Sequence, residues 1–270
     1  MEERIAETTS GGVRLAWREL GAGEPLLLLN GYAGAKADWD PVFLERLADH
    51  SRVICPDNRG LGDSELGADE MTVELLASDV LAIMDALGIE RAPVAGWSMG
   101  GFIAQTLAVT ASERVEALIL LATDPGGELS TSTTREHFLR LIDRSGSARE
   151  QASRLISLLF PDPPASAIDE QFGEIVAAAQ TALDPAALEA QVALMASWHR
   201  TPSAERLAAI SMPVLAAHGS EDVVIPAANS ETIAARIPGT WKAIFPGAGH
   251  AVMAMEQDRL AALIATFLGR

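Results

Sequence analysis

Short apolar runs alternate with helical repeats along most of the chain, and this alternation restricts the fold more than any other feature. One helical repeat covers residues 72–87, with apolar side chains at 3.6-residue spacing, Thr72 as the predicted N-cap and Gly88 as the predicted stop. Because the strands of a parallel sheet are buried on both faces, continuous apolar runs joined by helices indicate βαβ units. The sequence therefore predicts an α/β fold with a mostly parallel sheet. The predicted strands cover residues 26–29, 53–55, 93–95, 117–121, 213–217 and 241–245.

A block without predicted strands interrupts this alternation between residues 126 and 207. Prolines break it at 161–164 and at Asp184-Pro185. The alternation resumes at residue 213, so we expect a helical unit, 126–207, inserted into a core made of residues 1–125 and 208–270. The helices predicted in the block cover residues 135–142, 151–160, 167–181 and 185–199, and those predicted after it cover 227–236 and 252–268.

Composition and charge exclude several classes of function. The 270 residues include 37 acidic and 20 basic side chains, a formal charge of −17 that repels nucleic acid and anionic membranes. No apolar stretch approaches the ~20 residues of a membrane span, and residues 1–4 are acidic and polar, unlike a signal peptide. The single cysteine, Cys55, lies in an apolar run. We expect a cytoplasmic protein that binds a small molecule, with monomer and homodimer both open.

The pentapeptide Gly-Trp-Ser-Met-Gly at residues 96–100 stands where a predicted strand runs into a helix that we expect to begin near Gly101. A serine hydroxyl is a weak nucleophile, so it must be exposed on a sharp turn beside a base and amide donors. Gly96 and Gly100 lack Cβ atoms, which lets strand and helix approach closely while Ser98 takes a strained conformation. The motif alone is weak evidence, and its partners must support it.

Both partners of a nucleophilic serine follow late strands. In open α/β sheets, functional residues gather at the carboxyl ends of the strands. Asp222 follows the strand at 213–217, and His250 follows the strand at 241–245. This order predicts that His250 takes the proton of Ser98 and passes it to the leaving group, while Asp222 orients the imidazole and stabilises its cation.

Three other titratable residues have competing interpretations. Asp124 also follows a strand and could take the place of Asp222 as the acid. We favour Asp222, because Asp124 is equally suited to cap the turn that follows it. His218 is expected to be a hydrogen-bonded structural histidine. His199 is expected to interact with the C-terminus of its helix, in preference to lining the pocket.

The chain resembles the α/β-hydrolase fold superfamily over nearly its whole length. Three motifs carry the resemblance: the serine pentapeptide, the Arg-Gly-Leu-Gly-Asp-Ser turn at 59–64, and the loop from Asp222 to Pro226. The run at 96–101 looks most like the cofactor-free esterase, lactonase, C–C hydrolase and perhydrolase branches. The resemblance implies an eight-stranded sheet flanked by helices, with 126–207 as a helical cap between strands 6 and 7.

The resemblance also assigns an oxyanion hole to the backbone amides of Met99 and Tyr32. The sequence departs from the family at Asn30, where histidine is more common, and this change alters the hydrogen bonds that orient the loop. The candidate pocket residues are Trp97, Phe138 and Trp198, although core packing between helices more often explains cap side chains such as Phe138 and Trp198.

These observations predict a serine hydrolase that cleaves an ester, lactone or thioester of a small apolar substrate through an acyl-enzyme. The five histidines show no metal-ligand spacing, and we expect neither a metal nor an organic cofactor. C–C bond hydrolysis and perhydrolysis by the same triad are alternatives, because fold does not determine substrate. A ligand-binding protein that keeps the fold without catalysis is the alternative from another class.

Overall fold

Eight strands form a single sheet in the computed structural model, which describes residues 3–270. Residues 1 and 2, part of the acidic start noted above, lie outside the described residues. The strands are β1 (Glu3–Ser10), β2 (Val13–Leu20), β3 (Pro25–Leu29), β4 (Arg52–Pro56), β5 (Ala92–Trp97), β6 (Val115–Leu121), β7 (Val214–Gly219) and β8 (Trp241–Phe245).

The sheet has the order β1-β2-β4-β3-β5-β6-β7-β8. β2 pairs antiparallel with β1 and β4, and the remaining neighbours are parallel. The predicted α/β fold with a mostly parallel sheet is thus confirmed. The six predicted strands are all present, and the hairpin β1–β2 was not located from the sequence.

Helices cover both faces of the sheet. Their bounds are α1 (Pro41–Ala48), α2 (Val73–Ala86), α3 (Met99–Thr110), α4 (Arg135–Ile142), α5 (Ala148–Leu159), α6 (Pro164–Thr181), α7 (Pro185–Trp198), α8 (Ala204–Ala209), α9 (Ala228–Arg236), α10 (Val252–Met255) and α11 (Gln257–Leu268). Thr72 Oγ1 accepts a hydrogen bond from the Leu75 amide and caps α2 as predicted. The single helix expected over 252–268 is divided at Glu256, whose backbone (φ −131°, ψ 39°) is not helical.

β3 illustrates how the sheet divides the core. Leu27 and Leu29 point to one face and pack in a cluster with α2 and α3, whereas Leu26 and Leu28 pack on the other face with α1 and α11. All four leucines are buried, which explains why the strand is an unbroken apolar run. Two apolar layers therefore hold the carboxyl ends of the parallel strands in fixed positions.

The helices α4, α5, α6 and α7 all lie between β6 and β7 in the chain, where the cap was expected. The range 126–207 also includes the start of α8, and this helix packs against α3 and α9 of the core. Within residues 3–270, no helix is long and apolar enough to cross a bilayer.

Candidate active site

Ser98 lies at the sharp turn between β5 and α3, which begins at Met99, two residues earlier than expected. Its backbone has φ 55° and ψ −123°, a conformation that favours glycine. A Cβ atom on Gly96 would lie 2.3 Å from the Gly100 carbonyl oxygen, and one on Gly100 would lie 2.2 Å from the Leu29 carbonyl oxygen. Both positions therefore require glycine for the strand and the helix to approach this closely.

Ser98, His250 and Asp222 form one chain of hydrogen bonds. The distance from Ser98 Oγ to His250 Nε2 is 3.0 Å, and that from His250 Nδ1 to Asp222 Oδ2 is 2.8 Å. The other carboxylate oxygen, Asp222 Oδ1, accepts from the amides of Val224 at 2.9 Å and Ile225 at 2.8 Å. All three side chains are buried. The loop amides hold the carboxylate so that its free oxygen points at the imidazole.

This chain of hydrogen bonds can move a proton. A neutral imidazole that donates Nδ1–H to Asp222 has its lone pair on Nε2, where it can accept the proton of Ser98. Trp97 supports the histidine from the side, because its Nε1 donates to the His250 carbonyl oxygen at 3.0 Å and the two ring centroids are 5.2 Å apart. The geometry suits nucleophilic catalysis by serine.

The loop after β3 reaches Ser98 through Gly31. A Cβ on Gly31 would lie 3.0 Å from Ser98 Cβ, so the next amide, that of Tyr32, lies near the nucleophile. Asn30 holds this loop in place: its Oδ1 accepts from the Gly31 amide at 2.9 Å and its Nδ2 donates to the Ala35 carbonyl oxygen at 2.6 Å. The asparagine that replaces the family's histidine thus supplies the orienting hydrogen bonds itself.

Gln191 makes a contact with this loop that was not predicted from the sequence. Gln191 on α7 is fully buried, and its Oε1 accepts from the amide of Ala33 at 2.8 Å. Ala33 has φ 59°, which is uncommon for a residue with a Cβ atom, so this hydrogen bond holds a strained residue next to Tyr32. Gln191 thereby connects a cap helix directly to the candidate oxyanion loop.

Lys36 anchors the other end of the same loop. Its Nζ bonds Asp57, with which it is buried, and contacts Asp63 Oδ2 at 2.6 Å, while its amide donates to Asp57 Oδ1 at 2.6 Å. Burial lowers the pKa of Lys36, but the hydrogen bonds to Asp57 and Asp63 outweigh it, and the pKa is raised. The lysine is therefore charged, and it joins this loop to the turn after β4.

Asp124 is paired with His199 and not with His250. Asp124 Oδ2 is 3.2 Å from His199 Nε2, while its Oδ1 accepts from the amide of Gly126 at 2.6 Å and from Trp198 Nε1 at 3.2 Å. The second nitrogen of His199, Nδ1, lies 2.8 Å from the Met195 carbonyl oxygen at the end of α7. His199 thus contacts the helix C-terminus as expected and also borders a cavity at Ser98.

His218 lies behind the candidate triad. Its Nδ1 is 2.6 Å from Ser230 Oγ, and its Nε2 is 4.0 Å from Asp222 Oδ2. Burial lowers the pKa of His218 to about 4, so the ring is neutral at pH 7. A neutral, hydrogen-bonded histidine fits the structural interpretation made from the sequence.

Two cavities meet at Ser98. The α4 cavity, of about 320 Å³, is lined by residues of α4 that include Phe138, and the α6 cavity, of about 330 Å³, is lined by residues of α6 together with Trp97. Ser98 and Leu141 border both. Trp198, expected in the pocket, is instead buried with its ring stacked on Phe102 at a centroid distance of 4.7 Å. A substrate can therefore extend from Ser98 in two directions.

Among the side chains that the structure describes, no group of three or more histidine, cysteine, aspartate or glutamate residues is arranged to hold a metal ion. The hydrogen bonds of Asp222 and His250 engage each other, Ser98 and loop amides. These residues are arranged as a proton relay.

Comparison with known proteins identifies the family. The sequence profile described as "alpha/beta hydrolase fold" matches residues 24–254, most of the chain. The chain belongs to the α/β-hydrolase family. A hydrolase of known structure from Pseudomonas aeruginosa is 30% identical, with a TM-score of 0.82 over 98% of both chains. The resemblance inferred from the motifs is thus confirmed.

Curated α/β-hydrolase relatives act on different bonds. A 2-hydroxymuconate semialdehyde hydrolase from a Pseudomonas species is 29% identical over 97% of this chain and 93% of its own. A pimeloyl-[acyl-carrier protein] methyl ester esterase from Aliivibrio salmonicida is 28% identical over 94% of this chain and 95% of its own. These two relatives are a hydrolase and an esterase, and their names do not give one substrate class.

Proposed function

We propose that the protein is a serine hydrolase that cleaves a carboxylic ester, lactone or thioester with an apolar substrate group through an acyl-enzyme. The observation that carries the proposal is the hydrogen-bond chain from Ser98 Oγ through His250 to Asp222, with links of 3.0 and 2.8 Å. Ser98 is the nucleophile, His250 is the general base and then the general acid, and Asp222 orients the imidazole.

The reaction follows from this geometry. Ser98 Oγ attacks the carbonyl carbon as its proton passes to His250 Nε2, and the amides of Met99 and Tyr32 stabilise the oxyanion. The Met99 amide is free for this role because the first N–H groups of a helix have no partner inside the helix. His250 then protonates the leaving group. Water, deprotonated by the same imidazole, releases the acid and restores Ser98.

The two cavities support a substrate with a group on each side of the scissile bond. The α4 cavity presents the hydroxyl groups of residues 131–134 and the charged side chain of Arg135 beside apolar side chains such as Val224 and Ile225. The α6 cavity is walled mainly by aliphatic and aromatic side chains. An acyl group and a leaving group, one in each cavity, would hold the carbonyl carbon at Ser98.

A fluorophosphonate tests the proposal, since it reacts preferentially with an activated serine and the position of the adduct can be located. Mass spectrometry of the treated protein should find one adduct on Ser98, and Ser98→Ala should carry none and lose at least 10⁴-fold of its esterase turnover. Ser132→Ala is the matched control, because this serine lines the α4 cavity outside the hydrogen-bond chain, and it should be labelled like the wild type. A folded wild-type protein without an adduct would contradict the proposal and favour a binding protein.

C–C bond hydrolysis is the second candidate, and the similarity to a 2-hydroxymuconate semialdehyde hydrolase favours it. The same triad serves both reactions in this family, so labelling of Ser98 does not separate them. Turnover of 2-hydroxymuconate semialdehyde compared with that of simple esters does. Faster cleavage of the C–C substrate would replace ester hydrolysis as the assigned reaction.

A further inference from the structure

The α6 cavity connects the candidate nucleophile to the outside of the protein. Ser98, Trp97 and His250 border one part of it, whereas Phe172 and Ile175 border another. These last two side chains, 43% and 67% exposed, are among the few large apolar side chains that the described part of the protein leaves exposed. The cavity therefore opens to solvent past an apolar rim.

One face of α6 forms the outer wall of this cavity. Its lining side chains recur at intervals of three and four residues, which places them on a single side of the helix. They are the apolar Ile168, Phe172, Ile175, Val176 and Ala179 and the polar Gln180. Leu155 and Leu159 of α5 and Trp39 of the core complete an apolar wall between Ser98 and the rim. Exposed apolar side chains continuous with an apolar cavity mark a binding surface.

The charged side chains that line this cavity limit the kinds of ligand that it can bind. Asp38 and Asp40 are its acidic lining residues, and among the described residues that line it there is neither a lysine nor an arginine. Asp38 accepts from the Ala35 amide and Asp40 caps α1, so both carboxylates have structural partners. A ligand carboxylate would meet two acidic side chains in this lining, and the nearby guanidinium of Arg144 already donates hydrogen bonds to Gln180.

We propose that the substrate carries a linear, uncharged hydrocarbon chain that runs from the scissile bond along α6 and emerges between Phe172 and Ile175. This inference rests on the proposed function and extends the small apolar substrate expected from the sequence to a longer one. The chain belongs either to the acyl group or to the alcohol, since both are bonded to the carbonyl carbon held at Ser98.

Two ester series test the proposal: p-nitrophenyl alkanoates from acetate to octanoate, and n-alkyl acetates from ethyl to octyl. Burial of each CH₂ group should raise kcat/KM by roughly threefold to fourfold until the chain passes the rim. One series should show this rise, and that series identifies the side of the bond that occupies the cavity. Chain-independent kcat/KM in both series, with acetate hydrolysed, would overturn the proposal and leave the hydrolase assignment intact.

Substitutions at the rim locate the chain. In Phe172→Gln/Ile175→Gln, the ratio of kcat/KM for the octyl substrate to that for the shortest ester should fall at least fivefold. Leu139→Gln is the matched control, because Leu139 is 47% exposed on the cap helix α4 and should leave the ratio within twofold of wild type. An unchanged ratio in the double variant, with an altered sedimentation coefficient, would assign these side chains to an interface between copies and overturn the proposal.

Failure of the proposed function has a different signature. A protein that hydrolyses no member of either series and takes no fluorophosphonate on Ser98 would overturn both proposals together.

Discussion

Two aspartate–histidine pairs lie near Ser98, and only one of them is built to move a proton. In the pair Asp222–His250, the second imidazole nitrogen faces Ser98 Oγ, a hydroxyl that can donate. In the pair Asp124–His199, the second nitrogen faces the Met195 carbonyl oxygen, which can only accept. The two pairs contain the same residue types, but only one can accept a proton from a hydroxyl. The group that faces the second imidazole nitrogen makes the difference.

In the second pair both imidazole nitrogens face acceptor oxygens, an arrangement that favours the doubly protonated ring. Burial lowers the pKa of His199, but the hydrogen bond to Asp124, the charge of Asp124 and the contact with the Met195 carbonyl oxygen together outweigh it, and the pKa is raised. A doubly protonated imidazole has no lone pair and cannot act as a base. Because Asp124 follows β6 and His199 ends α7, the pair instead fastens the cap to the core.

Exchange of each acid for its amide is the strongest test of this comparison. Asp222→Asn should lower kcat about 10⁴-fold, as it does in serine proteases, because the amide favours the wrong tautomer of His250. Asp124→Asn, the matched control, should lower kcat by less than tenfold. Steady-state kinetics on a p-nitrophenyl ester measure both. Equal losses in the two variants would refute the division of roles.

The buried ring of His218, which contacts the Asp222–His250 pair, should make stability depend on pH. With a folded-state pKa of about 4 and an unfolded value of about 6.5, the unfolded chain binds more protons between these two pH values. Stability should therefore fall as the pH is lowered from 6.5 to 4, by up to about 3 kcal/mol from this residue. Urea unfolding at pH 7 and pH 4.5 measures the loss.

The control for His218 is the same experiment on His218→Gln, since glutamine does not titrate. The variant should lose less free energy of unfolding than the wild type over this pH interval. Identical losses would show that the ring of His218 is not kept neutral by burial.

The smallest effect is expected from Gln191, the other contact between α7 and the active-site loops. Gln191→Leu removes the acceptor of the Ala33 amide, so the Tyr32 amide loses support and kcat should fall about tenfold with KM within about twofold. Gln191→Glu keeps an acceptor and should restore part of kcat. A change in KM alone would assign Gln191 to substrate binding or to cap packing.

Local patterns explain why so much of the sheet and site could be predicted from the sequence. The inner parallel strands are buried on both faces and appear as apolar runs, and the loops after β7 and β8 place Asp222 and His250 where such sheets gather functional residues. The hairpin of β1 and β2 was missed because its strands mix polar and apolar residues and lack such a run.

The supporting contacts could not be predicted, because they join residues far apart in the chain. Gln191 and Ala33 are 158 positions apart, and Asp124 and His199 are 75 apart. No periodicity or motif connects such residues, and only the docking of the cap on the core brings them together. The burial of Lys36 beside Asp57 could not be predicted either. Lysine is rarely buried unless it is paired, and the sequence does not show this pairing.

The positive φ angle of Ser98 lowers the stability of the fold at the residue that we propose as the nucleophile. A residue with a Cβ atom in such a conformation costs about 1–3 kcal/mol, and Ala33 and Ala122 have φ angles of the same sign. Under the proposed function, glycine at position 98 would relieve this strain and remove the nucleophile. Selection of thermostable variants by solubility alone would favour glycine at Ser98 and enrich inert proteins, so any such programme has to score turnover in every round.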